Sequence, residues 1–217
     1  MAYQLGNIKS VKTNVIEVYH PDLIEVVSHL TAAVAAAATS LTVNDNGDLD
    51  QNDFFVIGKV AYPKAEIKRI NAAVTYGTAL TSTALTFDHP IGSPVQKILW
   101  DRIEITGATT LAGSKTVILD PTAGVAADIR IDEDVTTYVV TGTTYSFYFV
   151  RYYNSQTTTY SAYSDGVADT GYARGEVGYL IHSVLRDTKR QLDDRVDHTW
   201  FFEKINDCLG DISGRLK

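Results

Sequence analysis

The sequence predicts a mainly β protein that ends in a pair of helices, an α+β chain. Three observations predict it. Short β-branched and aromatic runs recur between turns rich in Gly, Asn and Pro over residues 1–166, the pattern of half-buried strands. The densest run, Tyr145-Ser146-Phe147-Tyr148-Phe149-Val150-Arg151-Tyr152-Tyr153, has no Gly or Pro. After Gly171 the apolar period lengthens from two to about 3.6.

Residues 7–20 alternate loosely through Ile8, Val11, Val15, Ile16 and Val18 and read as one or two strands, broken by His20-Pro21-Asp22. A strand resumes through Leu23, Ile24, Val26, Val27 and Leu30. Residues 31–40 are rich in alanine but uncharged and uncapped. Such a run makes a marginal helix, so it reads as extended. Residues 44–53 read as a turn, Phe54-Phe55-Val56-Ile57 as a buried strand, and residues 65–70 as a half-exposed one. Strands at 72–75 and 84–87 flank a turn at Tyr76-Gly77-Thr78, residues 88–94 turn again, and residues 95–99 close the unit. The spacing predicts a small β-barrel or sandwich over residues 1–100, bounded near Trp100-Asp101.

In the aromatic run, alternation sends Tyr145, Phe147, Phe149, Arg151 and Tyr153 to one face and Ser146, Tyr148, Val150 and Tyr152 to the other. Both faces are bulky, so the strand belongs inside a sandwich. Asn154-Ser155-Gln156 reads as a turn and residues 158–164 as the returning strand.

This stretch resembles strands E, F and G of a fibronectin type III domain. Thr137-Tyr138 and Val140 match strand E, and Gly142-Thr143-Thr144 the corner. Tyr145 stands where that family places its tyrosine-corner residue, which would turn Phe147 and Phe149 inward. Asn154-Ser155 matches the F–G turn and Tyr163-Ser164 the end of strand G. The resemblance covers about 30 residues and implies a β-sandwich over residues 101–166, although the family's strand-B tryptophan is missing. The fold binds or spaces and does not itself specify a function.

Val177, Leu180, Ile181, Val184, Leu185, Thr188 and Leu192 place an amphipathic helix over residues 174–194. Asp197 is a good N-cap for a second helix, whose apolar face holds Phe201, Ile205, Cys208, Leu209, Ile212 and Leu216. Residues 172–217 therefore read as a helical hairpin.

The net charge is −7. Residues 172–217 hold eight basic and eight acidic residues, so the acidic excess lies in the β part. That balance argues against tight nucleic-acid binding, which needs clustered Lys and Arg. Cys208 is the only cysteine, so no intrachain disulfide framework or zinc-thiolate cluster is expected. Met1-Ala2-Tyr3-Gln4 does not read as a signal peptide. The alanine run is too short to span a membrane.

No catalytic, cofactor or metal residue is expected. The loop Asp45-Asn46-Gly47-Asp48-Leu49-Asp50-Gln51-Asn52-Asp53 is acidic enough for calcium, but Gly47 comes too early for an EF-hand. It reads as a solvated turn with Asx hydrogen bonds. His20, His29, His89, His182 and His198 form no metal-ligand spacing. No Gly-x-Ser-x-Gly or phosphate-cradling glycine loop is present. Cys208 reads as helix packing, and Arg186, Lys189 and Arg190 as a solvated face.

Tyrosine carries the remaining signal, with thirteen in the chain. Tyrosine suits interfaces, where its ring is buried and its hydroxyl stays bonded. Tyr148, Tyr152 and Tyr163, with Trp200 and Phe202 off the main stripe of the second helix, are the candidate interface residues.

The whole chain resembles a structural protein of the tailed-bacteriophage virion. Ser40-Leu41-Thr42-Val43, Phe54-Phe55-Val56-Ile57-Gly58, Ala65-Glu66-Ile67 and residues 85–95 look like a small β-domain of such proteins, and residues 175–216 like the helices of head–tail adaptors. The resemblance implies a non-enzymatic neck component in the virion, assembled in the bacterial cytoplasm. It implies a twelve-fold ring of this chain that docks on the portal protein, contacts tail or neck proteins and lets DNA pass through its lumen. No membrane partner is expected. Rival expectations are a tail or baseplate structural protein and a non-phage carbohydrate-binding or adhesive β-module accessory to an enzyme.

Overall fold

The computed structural model describes residues 5–12 and 14–169, with the side chains of Glu25 and Val26 excepted. The expected helical hairpin lies outside these residues, together with Trp200, Phe202 and Cys208. Within them the protein is mainly β.

The chain opens with β1 (Ile8–Lys12) and β2 (Val15–Val18), then β3 (Leu23–His29) and β4 (Ser40–Leu41). It continues through β5 (Phe54–Ile57), β6 (Glu66–Arg69), β7 (Leu80–Thr81) and β8 (Pro94–Ile98). β9 (Arg102–Ala108), β10 (Thr116–Leu119) and a 3-10 turn (Gly124–Ala127) follow. Last come β11 (Thr136–Val139), β12 (Phe147–Asn154), β13 (Thr159–Tyr160) and β14 (Val167–Ala168).

Two sheets share one core. One has the order β1-β2-β11; the other runs β10-β9-β12-β13, with β14 also on β12. Ile8, Val11, Ile16 and Val18 from the first meet Ile103, Ile105, Tyr148, Val150 and Tyr152 from the second. Residues before Pro21 therefore pack with residues 101–169, whereas the sequence placed them in a unit over 1–100. The reason is non-local: β2 pairs with β11, some 120 residues later, Val18 facing Thr136 and Val15 facing Val139, and no local pattern encodes that partner. The first sheet's chain also crosses to the second. Leu5 bridges Ala162 in parallel, and Gly6 lies so close to the Val150 backbone that a Cβ there would clash.

Residues 23–98 form a separate layer between β2 and β9. Its sheet is β3-β8-β5-β6, with the small pair β4-β7 beside it. Phe55 and Ile57 enter one core with Leu30, Leu41, Ile70, Leu80 and Val95. Phe54 and Val56 enter another with Ile98 and Ile131. Burial on both faces explains the unbroken apolar run. Residues 31–40 contain no helix, as expected; Val34 and His89 exchange backbone bonds at 2.9 Å each. The strands expected at 72–75 and 84–87 are replaced by β7 and by side-chain-held turns.

The aromatic strand is β12, and from Phe147 to Tyr153 the alternation is as read, but its inward face is the other one; Tyr145 precedes the strand and packs against the same core as Tyr148. Tyr148, Val150 and Tyr152 are buried in the shared core, while Phe147 is only half-buried. The Tyr148 hydroxyl accepts the Tyr145 N–H at 3.1 Å, so the buried anchoring tyrosine stands three residues after the one expected. An odd shift exchanges the two faces of a strand, which is why Phe147 and Phe149 were expected inside. Tyr145 instead packs edge-on to Tyr148, rings 6.5 Å apart, over Gly107, where a Cβ would strike its ring. The returning strand is split: between β13 and β14, Ser161 and Ser164 side chains accept the Tyr152 and Val150 N–H groups.

Candidate functional site

The outward face of the β10-β9-β12-β13 sheet gathers Phe147, Phe149, Tyr153, Tyr160 and Tyr163. Strand register sets three cross-strand rows. Val117, Thr106 and Phe149 form one, Glu104 and Arg151 the next, and Arg102, Tyr153 and Tyr160 the third. Arg151 Nε and Nη2 bond the two Glu104 carboxylate oxygens at 2.7 and 3.0 Å, a forked pair. Tyr163 donates its hydroxyl to the same carboxylate at 2.8 Å. The Arg151 guanidinium lies 3.7 Å from the Tyr160 ring centre and 4.5 Å from that of Tyr163. Lys115 sits 4.3 Å over Phe149.

The pair has consequences for titration. Burial pushes the Tyr163 hydroxyl up, and its bond to the ionised Glu104 adds to this, to about 12. Burial alone would lower the Arg151 guanidinium, but Glu104 outweighs it and holds the cation above its ordinary range. The charges in the middle of the face are therefore mutually neutralised. Around them Leu111, Val117 and Tyr160 remain 56%, 52% and 41% exposed. Leu111 belongs to this patch because its side chain and that of Phe149 both lie against Gly166. A rigid sheet carrying exposed apolar groups about a satisfied polar centre suits contact with another protein.

A groove of about 600 Å3 lies between β6 and residues 128–132, with Ser155 and Gln156 also in its lining. At its β6 wall, Glu66 and His89 are buried, with His89 Nε2 3.0 Å from Glu66 Oε1. Glu66 also accepts the Thr86 and Phe87 N–H groups and pairs with Lys68 at 2.8 Å. Burial would raise the Glu66 carboxyl, but the bonds from Lys68, His89 and Thr86 prevail and hold it below its usual range. This cluster anchors the turn at residues 86–94.

The acidic loop is a turn held by its own side chains. Asp45 Oδ1 accepts the Gly47 N–H at 2.9 Å, and Asp53 Oδ2 accepts the Asp50 N–H at 2.8 Å. Asn46 is buried. Its amide donates to Thr75 and Thr78 carbonyls and accepts the Gly77 N–H, all at 3.0 Å. Among the described residues no group of three or more His, Cys, Asp or Glu side chains converges on one point.

Of the interface candidates, Tyr148 and Tyr152 are fully buried and cannot meet a partner in the folded chain. The Tyr152 hydroxyl instead bonds the Tyr19 carbonyl at 2.9 Å, tying the first sheet's chain to the second. Tyr163 lies on the outward face, half-buried. Trp200 and Phe202 are outside the described residues. Sequence reasoning missed Glu104, Leu111, Lys115 and Val117. The available signal was one acid, Glu104, between Ile103 and Ile105, opposite an arginine in a neighbouring strand. No known protein family, curated protein or solved structure matches the chain.

Proposed function

We propose that this protein is a non-enzymatic structural component of a tailed-phage virion, a neck protein that joins the portal to the tail as a ring of identical chains. The observation that carries this reading is the outward sheet face, where Leu111, Val117 and Tyr160 stand exposed around the Glu104–Arg151 pair. Such a face suits lateral contact between copies. A carbohydrate platform is less well served, because Arg151 already occupies ring faces of Tyr160 and Tyr163.

The sheet order fits a fibronectin type III-like sandwich, and we assign it so. β1, β2 and β11 take the places of strands A, B and E, and β9, β12 and β13–β14 those of C, F and G. Tyr148 is then the tyrosine-corner residue. Residues 23–98 become an insertion between B and C. This gives two β-modules in one chain, as a spacer in a neck requires. The net charge of −7 suits a ring that DNA passes without sticking.

Residues 172–217 are the docking end in this reading. Deleting residues 174–217 is expected to leave the β part folded and to abolish assembly on the portal ring. Necks that form normally without those residues would contradict the docking role.

A further inference from the structure

The clasp between the acidic loop and residues 75–78 is built on the one Asn-Gly pair in the chain, Asn46-Gly47. Asparagine is thermally labile, and most so before glycine, where no side chain hinders the backbone nitrogen that follows. That nitrogen attacks the Asn46 side-chain carbonyl carbon and closes a five-membered imide. A C–N bond forms, the bond to Nδ2 breaks, and the Gly47 amide proton leaves with the departing nitrogen as ammonia. Water then opens the ring at either carbonyl, giving aspartate or its β-linked isomer. The net change is an amide replaced by a carboxylate.

The fold withholds both reacting groups. Asn46 is 3% exposed, and its Nδ2 donates to the Thr75 and Thr78 carbonyls. The Gly47 N–H donates to Asp45 Oδ1. Ring closure consumes that proton and expels that nitrogen, so all three bonds must be given up as the imide forms. Burial also keeps the hydrolytic water away. The reaction therefore waits on opening of the clasp.

The product cannot restore the clasp. A carboxylate has no hydrogen to donate, yet it would face the two carbonyl oxygens that the amide had served. It would also add negative charge to a loop that already holds Asp45, Asp48, Asp50 and Asp53, and like charges at such spacing repel. The β-linked isomer lengthens the main chain by one carbon at the same point. Leu49, on this loop, is 6% exposed and shares a core with Leu80, which follows the clasped turn. An open clasp loosens the cover of that core.

We infer that Asn46 is a modification site gated by the fold: opening of the clasp lets it deamidate, and the carboxylate formed holds the clasp open. The step is one-way, since ammonia is lost to solvent, so converted molecules accumulate with age. The inference does not depend on the neck assignment.

Peptide mass mapping of the full-length protein tests it, after ageing in mildly alkaline native buffer and in unfolding urea. Conversion at Asn46 is expected to be slower in native buffer by about tenfold or more. Gly77→Val should speed native conversion and leave the urea rate unchanged, because Gly77 has a φ of +78° that a β-branched residue strains. Asn46→Asp reproduces the product. In that variant, hydrogen exchange of the Thr78 amide, bonded to the Thr75 carbonyl, should quicken about tenfold or more. The Tyr152 amide, bonded to Ser161 in the sandwich, should stay protected in both variants. Equal conversion in the two buffers would overturn the inference, and that comparison needs neither variant to fold. So would an unchanged native rate in Gly77→Val, or unchanged Thr78 exchange in Asn46→Asp.

Discussion

The Tyr148 hydroxyl accepts the Tyr145 backbone N–H at 3.1 Å, from a side chain with no solvent exposure. Removing that oxygen leaves a donor unpaired at the sandwich corner. Tyr148→Phe is expected to cost about 1–3 kcal/mol, and Tyr148→Ala about 3–5 kcal/mol through the cavity it leaves. Phe147→Ala should cost clearly less, because Phe147 is half-buried on the outward face. Urea unfolding of the three variants gives the order directly. A larger loss at Phe147 than at Tyr148 would return the core to the other face.

That strand shows what the sequence could and could not convey. The alternation of residues 147–153 was legible, because side-chain period follows from backbone geometry, whereas Tyr145, before the strand begins, leaves the pattern and packs with Tyr148. Which face turned inward was not, since both carry aromatics: Phe149 and Tyr153 are buried on the outward side by their neighbours' long side chains. The turn at residues 44–53 and the break at Pro21 were legible from local chemistry. The pairing of β2 with β11 was not, because it joins segments that share no local signal. The outward patch was half visible. Tyrosine enrichment pointed to a surface, but Leu111, Val117 and Glu104 entered only once the register of β9, β10 and β12 was known.

Glu104 is 3% exposed and depends on Arg151 for its charge balance. Arg151→Ala is expected to destabilise the fold by about 3–5 kcal/mol, because it leaves a buried carboxylate uncompensated. Pairing Arg151→Met with Glu104→Met should recover most of that loss. A double-mutant cycle by chemical denaturation checks this, and additive losses in the double variant would show the two side chains to be independent.

Glu66 gives the fold an acid sensitivity of known sign. Its folded carboxyl lies below the ordinary value of 4.5. Its contribution is therefore present in full above that value and is lost as pH falls through the folded pKa. Thermal unfolding across the acid range should show stability falling below about pH 4.5. Glu66→Gln should be less stable at neutral pH and lose less on acidification. An unchanged acid slope in that variant would assign the effect to other carboxylates.

Asn46 holds the acidic loop against residues 75–78 with three bonds. Asn46→Ala should cost about 1–3 kcal/mol. Chelator should leave the melting temperature of the unaltered protein unchanged. A shift of several degrees that calcium reverses would make the loop an ion site instead.

The central claim is that the outward sheet face joins copies of this chain. Native mass measurement of the full-length protein tests it most directly, made beside a Val117→Lys, Tyr160→Glu double variant. Both positions are more than 40% exposed, so neither substitution should unfold the chain. The account predicts a mass several times that of one chain for the unaltered protein and a single-chain mass for the variant. A single-chain mass for the unaltered protein at every concentration, or an assembly that the double variant leaves intact, would contradict it.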